Sequence, residues 1–305
     1  MTTPNASRLA YDKDPMPCRC SDIREPTIAA ASPPALPAGA VQSFNHCNLP
    51  SRLLASLLFQ RHPVQLELDG VLALHRRLFA ELDALAGDAQ RAELFRVYMN
   101  AHFCLQHPEE AGAGNPAACV RPRANYLRIL RGWGFSAEQR EGAVLKGWVE
   151  SRFGLLTRYH AEAMPDSESA AYARFVAQRS AGLYGAHALE AQLDLVYSYV
   201  QYELARRYPQ RSHFLLYRGI NQPKTHELLQ SAADGSVTLL LNNLSSFTLN
   251  RERADEFGDS IIEICVPRTK VFCHYGLLPG LLPGEDEMMV IGGMYLGRVV
   301  SARLS

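Results

Sequence analysis

His213-Phe214-Leu215-Leu216-Tyr217-Arg218-Gly219 marks the change of period on which the fold class turns. Before Pro209 the apolar residues recur at helical spacing. From His213 onward they fall into short runs bounded by glycine, proline and asparagine, as strands do. Val237-Thr238-Leu239-Leu240-Leu241 and Ser246-Phe247-Thr248-Leu249 read as two further strands. Asn250 is placed to cap a short helix containing Ala254 and Phe257. Ser260 to Val266, Val271 to His274, Glu287 to Ile291 and Met294 to Ala302 complete the run of strands.

Upstream, from Ser51 to about Tyr208, the period is helical. Ser51 reads as the cap of a helix carrying Leu53, Leu54, Leu57 and Leu58. Val71, Leu74, Leu78, Leu82 and Leu85 form one stripe, and Asp88 opens a segment with Leu94, Val97, Tyr98 and Phe103. Further helices are expected at about 122–132, 136–151, 166–180 and 186–206. The last carries the stripe Leu189, Leu193, Val196, Val200 and Leu204. Trp133 and Trp148 read as interior. In Asn45-His46-Cys47-Asn48, local turn and cap hydrogen bonds are favoured over ligand contact. Residues 1–42 begin with a Pro-, Ala- and Ser-rich stretch without a period and are expected to form a flexible arm. A mainly helical region at 43–208 followed by a strand-rich unit at 209–305 predicts an α+β fold.

Composition excludes several classes. Among 305 residues, 31 Lys plus Arg balance 31 Asp plus Glu, so the basic footprint of a nucleic-acid binder is missing. No apolar run is long enough to span a bilayer, and the start does not resemble a secretory signal. The seven scattered cysteines fit a reducing cytoplasm. Cys18-Arg19-Cys20 lacks a second cluster to complete a zinc site, so no metal is expected. Gly292-Gly293 and Gly297 fit neither a dinucleotide fingerprint nor a phosphate loop.

The chemistry concentrates in three places. The first is Arg218-Gly219 at a strand end. The second is Leu244-Ser245-Ser246-Phe247-Thr248-Leu249-Asn250. The third is Glu285-Asp286-Glu287, behind the turn Pro283-Gly284 and ahead of Met288-Met289-Val290-Ile291. On a strand, Glu285 and Glu287 share one face. Like charges so close suit a site that handles a cationic substrate.

This order resembles the Arg-Ser-Glu class of mono-ADP-ribosyltransferases. Ser246-Phe247-Thr248 stands where the class has a Ser-Thr-Ser segment. It keeps the outer hydroxyls and departs at Phe247, and Ser245 is the alternative to Ser246 as the motif serine. From about residue 43, Asn45 to Pro50 included, the chain resembles the bacterial NAD–dinitrogen-reductase ADP-ribosyltransferases. The resemblance implies a compact mixed β-sandwich core that binds NAD. It further implies transfer of ADP-ribose to an arginine of dinitrogenase reductase (the nitrogenase iron protein), which inactivates it, and control by PII-type signalling proteins. In the class, a glutamate at the place of Glu285 goes with arginine as acceptor.

Chemical logic assigns the roles. Cleaving the nicotinamide–ribose bond builds positive charge on the sugar, and a carboxylate aimed there stabilises the transition state. Glu287 is that carboxylate, held in one rotamer by Ser246. Arg218 offers a planar fork for the diphosphate. Gly219 would let the backbone approach the nicotinamide amide, with Ser245 and Thr248 also on the NAD side. Glu285 would orient the acceptor guanidinium and draw off its proton. An NAD glycohydrolase and a catalytically inactive interaction module are the alternatives. Tyr275 to Gly284, with leucines between Pro-Gly turns, is expected to be a mobile acceptor-recognition loop.

Overall fold

The computed structural model describes residues 34–106, 125–184, 186, 188–221, 228–232, 235–278 and 287–301. The fold is α+β. The helices α1 (Ser51–Leu54), α2 (Leu57–Arg61), α3 (Val71–Leu74), α4 (Arg76–Asp83), α5 (Asp88–His102) and α6 (Tyr126–Phe135) come first. They are followed by α7 (Arg140–Phe153), a hairpin of β1 (Tyr159–His160) and β2 (Glu162–Ala163), α8 (Ala170–Leu183) and α9 (Leu189–Arg207). Then come β3 (His213–Ile220), β4 (Leu228–Ser231), β5 (Ser236–Thr248), α10 (Arg251–Asp255), β6 (Ser260–Pro267), β7 (Val271–His274) and β8 (Glu287–Ser301).

Most helices form where the period places them, with local corrections at their ends. The first expected helix is two: α1 stops at Leu54, and Ser56 caps α2 by accepting from Phe59 N–H. The Val71–Leu85 stripe also breaks, at His75, and Leu74 turns out to solvent. α5 buries Phe95 and Met99 and leaves Val97 exposed. The α9 stripe is buried as expected. Asn45 Nδ2 donates to Leu49 O (2.8 Å) and Ser51 Oγ (3.0 Å), and Asn48 bonds the backbone at Gln65 and Glu67, so this polar loop makes local bonds. Of the expected arm, residues 1–33 lie outside the described residues. Ala40 is buried, and Val41 bridges Leu155.

The sheet has six strands in the order β4-β5-β3-β6-β8-β7, with β5 also paired to β8. Since β3 joins β5 and β6, and β8 joins β6 and β5, these four strands close on themselves. A mixed sheet was expected, but every described pairing is antiparallel. The strand order departs from the chain order: β5 and β6, joined through α10, flank β3 instead of pairing with each other. Two pairs of expected strands are each one long strand. The β5–β8 register shifts between Leu241 and Leu244, where Asn242-Asn243 stands against the single residue Gly292. Gly293 has φ +115°, and a Cβ on Gly292 would lie 2.1 Å from Asn242 O, so glycine is what lets the bulge pass.

One hydrophobic cluster spans helices and sheet, joining Trp148, Leu193 and Val196 to Phe272, Val290 and Tyr295. Polar bonds cross the same boundary. Gln60 Nε2 donates to Cys265 O (3.1 Å) and Leu296 O (2.9 Å), and Tyr197 O–H donates to Thr269 O (2.8 Å). The helices therefore form the bed on which β5, β7 and β8 lie.

Candidate active site

A cleft of about 380 Å³ opens where β3, β5, α10 and the start of β8 meet the turn between α6 and α7. It is lined by Arg218, Gly219, Ser245, Ser246, Thr248 and Glu287, which brings every described residue of the sequence-predicted site to one place. Glu285 lies outside the described residues.

Register explains the carboxylate's surroundings. Thr248 pairs with Glu287, and Ser246 with Met289. Alternate side chains share a face, so Ser246, Thr248 and Glu287 point the same way. Ser246 O–H donates to Glu287 Oε1. Trp133 Nε1–H is shared between the same Oε1 (2.9 Å) and Ser246 Oγ (3.0 Å). The sequence placed Trp133 in the core. Its ring is indeed buried, but its N–H reaches the site, and helical spacing alone carries no signal of that. Ser245 is on the opposite face by the pleat, with a buried hydroxyl that has no partner among the described residues. It is thus Ser246 that touches the carboxylate. Thr248 Oγ1 accepts from Asn250 N–H (3.1 Å) and shapes the turn into α10, where Asn250 caps Glu252 and Arg253.

Tyr217 pairs with Thr248, which sets Arg218 opposite Phe247. The guanidinium carbon sits 5.9 Å from the centre of the Phe247 ring. The residue that departs from the class motif is therefore a shelf for the arginine. Arg218 Nη1 is buried without a hydrogen-bond partner among the described residues. Gly219 serves packing: a Cβ there would lie 2.1 Å from Ala254 O and 3.0 Å from Gly258 N. Its missing side chain makes room for α10, and α10 brings Arg253 to the cleft, a residue the sequence reading did not single out. Phe257 was expected within that helix. It lies beyond the last turn, 64% exposed, on the cleft wall.

The helical wall holds a buried cation. Lys146 Nζ donates to Tyr159 O (3.1 Å), Glu138 Oε1 (3.3 Å) and His160 Nδ1 (3.2 Å), and lies 5.9 Å from the centre of the Trp133 ring. His160 then carries its proton on Nε2 and donates to Gln178 Oε1 (2.9 Å). Burial and the nearby ammonium lower its pKa, while that hydrogen bond opposes the shift. Behind Glu287, on β7, burial and the glutamate's charge push the Cys273 thiol up. Leu277 and Leu278, expected on an exposed loop, are buried, and Tyr275 O–H donates to Leu130 O (3.0 Å). The remainder of that loop, 279–284, lies outside the described residues.

A strand arginine, a strand serine and a serine-held glutamate in one cleft of an α+β chain follow the order of the Arg-Ser-Glu ADP-ribosyltransferases. The family model for dinitrogenase reductase ADP-ribosyltransferase matches residues 44–299, and the chain belongs to that family. An NAD(+)–dinitrogen-reductase ADP-D-ribosyltransferase of Rhodospirillum rubrum is 41% identical over 263 residues, which covers 85% of this chain and 95% of the relative. No solved structure matches the chain.

Proposed function

We propose that this chain transfers ADP-ribose from NAD to an arginine of dinitrogenase reductase, releasing nicotinamide and inactivating the acceptor. Family membership gives the reaction. The observation that carries its assignment to this cleft is Glu287, held at Oε1 by Ser246 and Trp133 in the cleft that Arg218 also lines.

The cleft suits NAD as substrate. Its volume falls in the range of about 300–1,000 Å³ usual for ligand sites. The buried Arg218 Nη1 needs a partner that a diphosphate supplies, and Ser245, on the other face of β5 from Ser246, adds a second buried polar atom to the cleft lining. Arg218 and Arg253 hold the diphosphate in this reading. Glu287 presents its charge to the ribose while the bond to nicotinamide breaks, the electron pair leaving with nicotinamide. An acceptor guanidinium nitrogen then bonds the anomeric carbon and gives up a proton. Glu285 orients that group and takes the proton. We place NAD binding and catalysis in a unit from 209 to 305 built on a sandwich-like curled sheet, with 43–208 as a helical region and 1–42 as an arm. A cytoplasmic setting and a PII-type regulatory partner complete the proposal.

The test is incubation of the full chain with NAD and dinitrogenase reductase, following nicotinamide release and the mass of acceptor peptides. One modified arginine is expected. Glu287→Gln should lower both products on the order of a thousandfold. Nicotinamide release without acceptor modification would indicate a glycohydrolase. NAD binding without either product would indicate a non-catalytic module.

A further inference from the structure

We propose that Trp133 is a positioning residue for Glu287, so that the helical region orients the carboxylate on which the proposed transferase function rests. Trp133 stands in the last turn of α6, outside the strand unit that carries Arg218, Ser246 and Glu287. A buried indole N–H requires a hydrogen-bond partner. Here it bridges Glu287 Oε1 at 2.9 Å and Ser246 Oγ at 3.0 Å. Two donors thus converge on Oε1, since Ser246 O–H points there as well. Hydrogen bonds to a carboxylate favour its charged form and hold one rotamer.

The indole itself is fixed from the helical side. Leu130, one turn earlier on α6, accepts from Tyr275 O–H at 3.0 Å. At the other end of α6, Tyr126 N–H donates to Gln192 Oε1 on α9 at 3.0 Å. Lys146 of α7 lies 5.9 Å from the ring centre. A shift of α6 would carry the donor away from Glu287, because Trp133 has no slack: it is 3% exposed. The charged and titratable groups around this contact are Lys146 and Glu138 on the α7 side, Tyr159 on β1, Tyr217 and Arg218 on β3, Arg253 on α10 and Cys273 on β7. None of them replaces a donor aimed at Oε1 in the described hydrogen bonds.

Two measurements test this on the full chain. Trp133→Phe keeps the ring and removes the N–H. At saturating NAD, kcat for nicotinamide release should fall by about tenfold or more, with KM for NAD little changed. The acid limb of the kcat profile should move to higher pH, because the carboxylate loses a donor that favours its ionised form. Unchanged kcat and an unmoved acid limb would overturn the proposal. The second readout needs no activity. The chain has two tryptophans, so ¹⁵N-tryptophan labelling gives two indole resonances. Trp148 donates to Asp194 Oδ1 (2.7 Å), away from the site. Glu287→Gln should shift the Trp133 resonance, leave that of Trp148 in place, and abolish the pH titration of Trp133. A Trp133 resonance indifferent to Glu287→Gln overturns the proposal even if transferase activity is found. A response to it sustains the contact even if the wild-type chain proves inactive, and it serves equally if Trp133→Phe does not fold.

Discussion

Arg218 carries a buried guanidinium nitrogen, Nη1, with no partner among the described residues. An unmet buried donor costs about 1–3 kcal/mol, which a bound anion recovers. Phe247 holds the planar head as a shelf 5.9 Å beneath it. Lysine has neither the fork nor the flat face. Arg218→Lys should therefore weaken NAD binding on the order of tenfold, about 1.4 kcal/mol, with the melting temperature unchanged. Calorimetric titration checks this, and an unaltered Kd would remove Arg218 from the diphosphate. That Arg218, Ser246 and Glu287 share one cleft was expected from the order of their motifs, which resembles the Arg-Ser-Glu class. The choice between Ser245 and Ser246 was not legible in the sequence, because a one-residue slip of register turns a strand side chain to the other face. Only the pairing of Thr248 with Glu287 decides it. Trp133 stayed hidden for a different reason: its partner is brought to it by the packing of α6 against the sheet, and no local pattern encodes that.

At the level of elements, α10 ties the arginine strand to the hydroxyl strand. Gly219 has no room for a side chain, since the Ala254 carbonyl would lie 2.1 Å from its Cβ and Gly258 N at 3.0 Å. Both obstacles are backbone, so they cannot swing aside. Gly219→Ala should push α10 outward, cost about 1–3 kcal/mol of stability and move Arg253 off the cleft. NAD binding should fall along with the urea midpoint. Weakened binding at unchanged stability would instead restore the role first read for Gly219, close approach of backbone to the ligand. The order of helices and strands was readable from their periods, and the breaks within them were less so. Ser56 and His75 divide helices whose leucines continue the period across the gap. Asn242-Asn243 and Gly292-Gly293 fall between the expected strands, yet they lie inside paired strands, with Asn242-Asn243 bulged against Gly292. A periodic pattern reports which residues want burial, and it is silent on whether a chain interruption ends an element or bends it.

The whole molecule is joined at Lys270, a fully buried lysine between the helical bed and the curled sheet. Its ammonium donates to Gly292 O (2.7 Å) and faces the rings of Phe59 on α2 (5.4 Å) and Tyr295 on β8 (4.8 Å). Gly293 leaves the space it occupies, since a Cβ there would lie 3.0 Å from Nζ. No carboxylate pairs with it in the described salt bridges, and burial lowers its pKa to about 7 from an ordinary 10.5. The sign of the resulting pH dependence follows. Between about 7 and 10.5 the unfolded chain holds this proton and the folded chain does not, so unfolding becomes harder as pH rises. The stabilisation is complete above the unfolded pKa and lost as pH falls through about 7, with a full span on the order of 4–5 kcal/mol. Lys270→Met removes the titration and leaves the Gly292 carbonyl without its donor, a cost of about 1–3 kcal/mol at every pH. The variant's stability relative to the parent should thus be higher near pH 6 than near pH 9, by a difference on the order of 3 kcal/mol. Urea midpoints of both proteins at pH 6, 7.5 and 9 measure the difference, in which the other titrating groups largely cancel. A difference that does not change with pH would mean that Lys270 keeps its proton in the fold, with the two aromatic faces sustaining a buried charge across the boundary between helices and sheet.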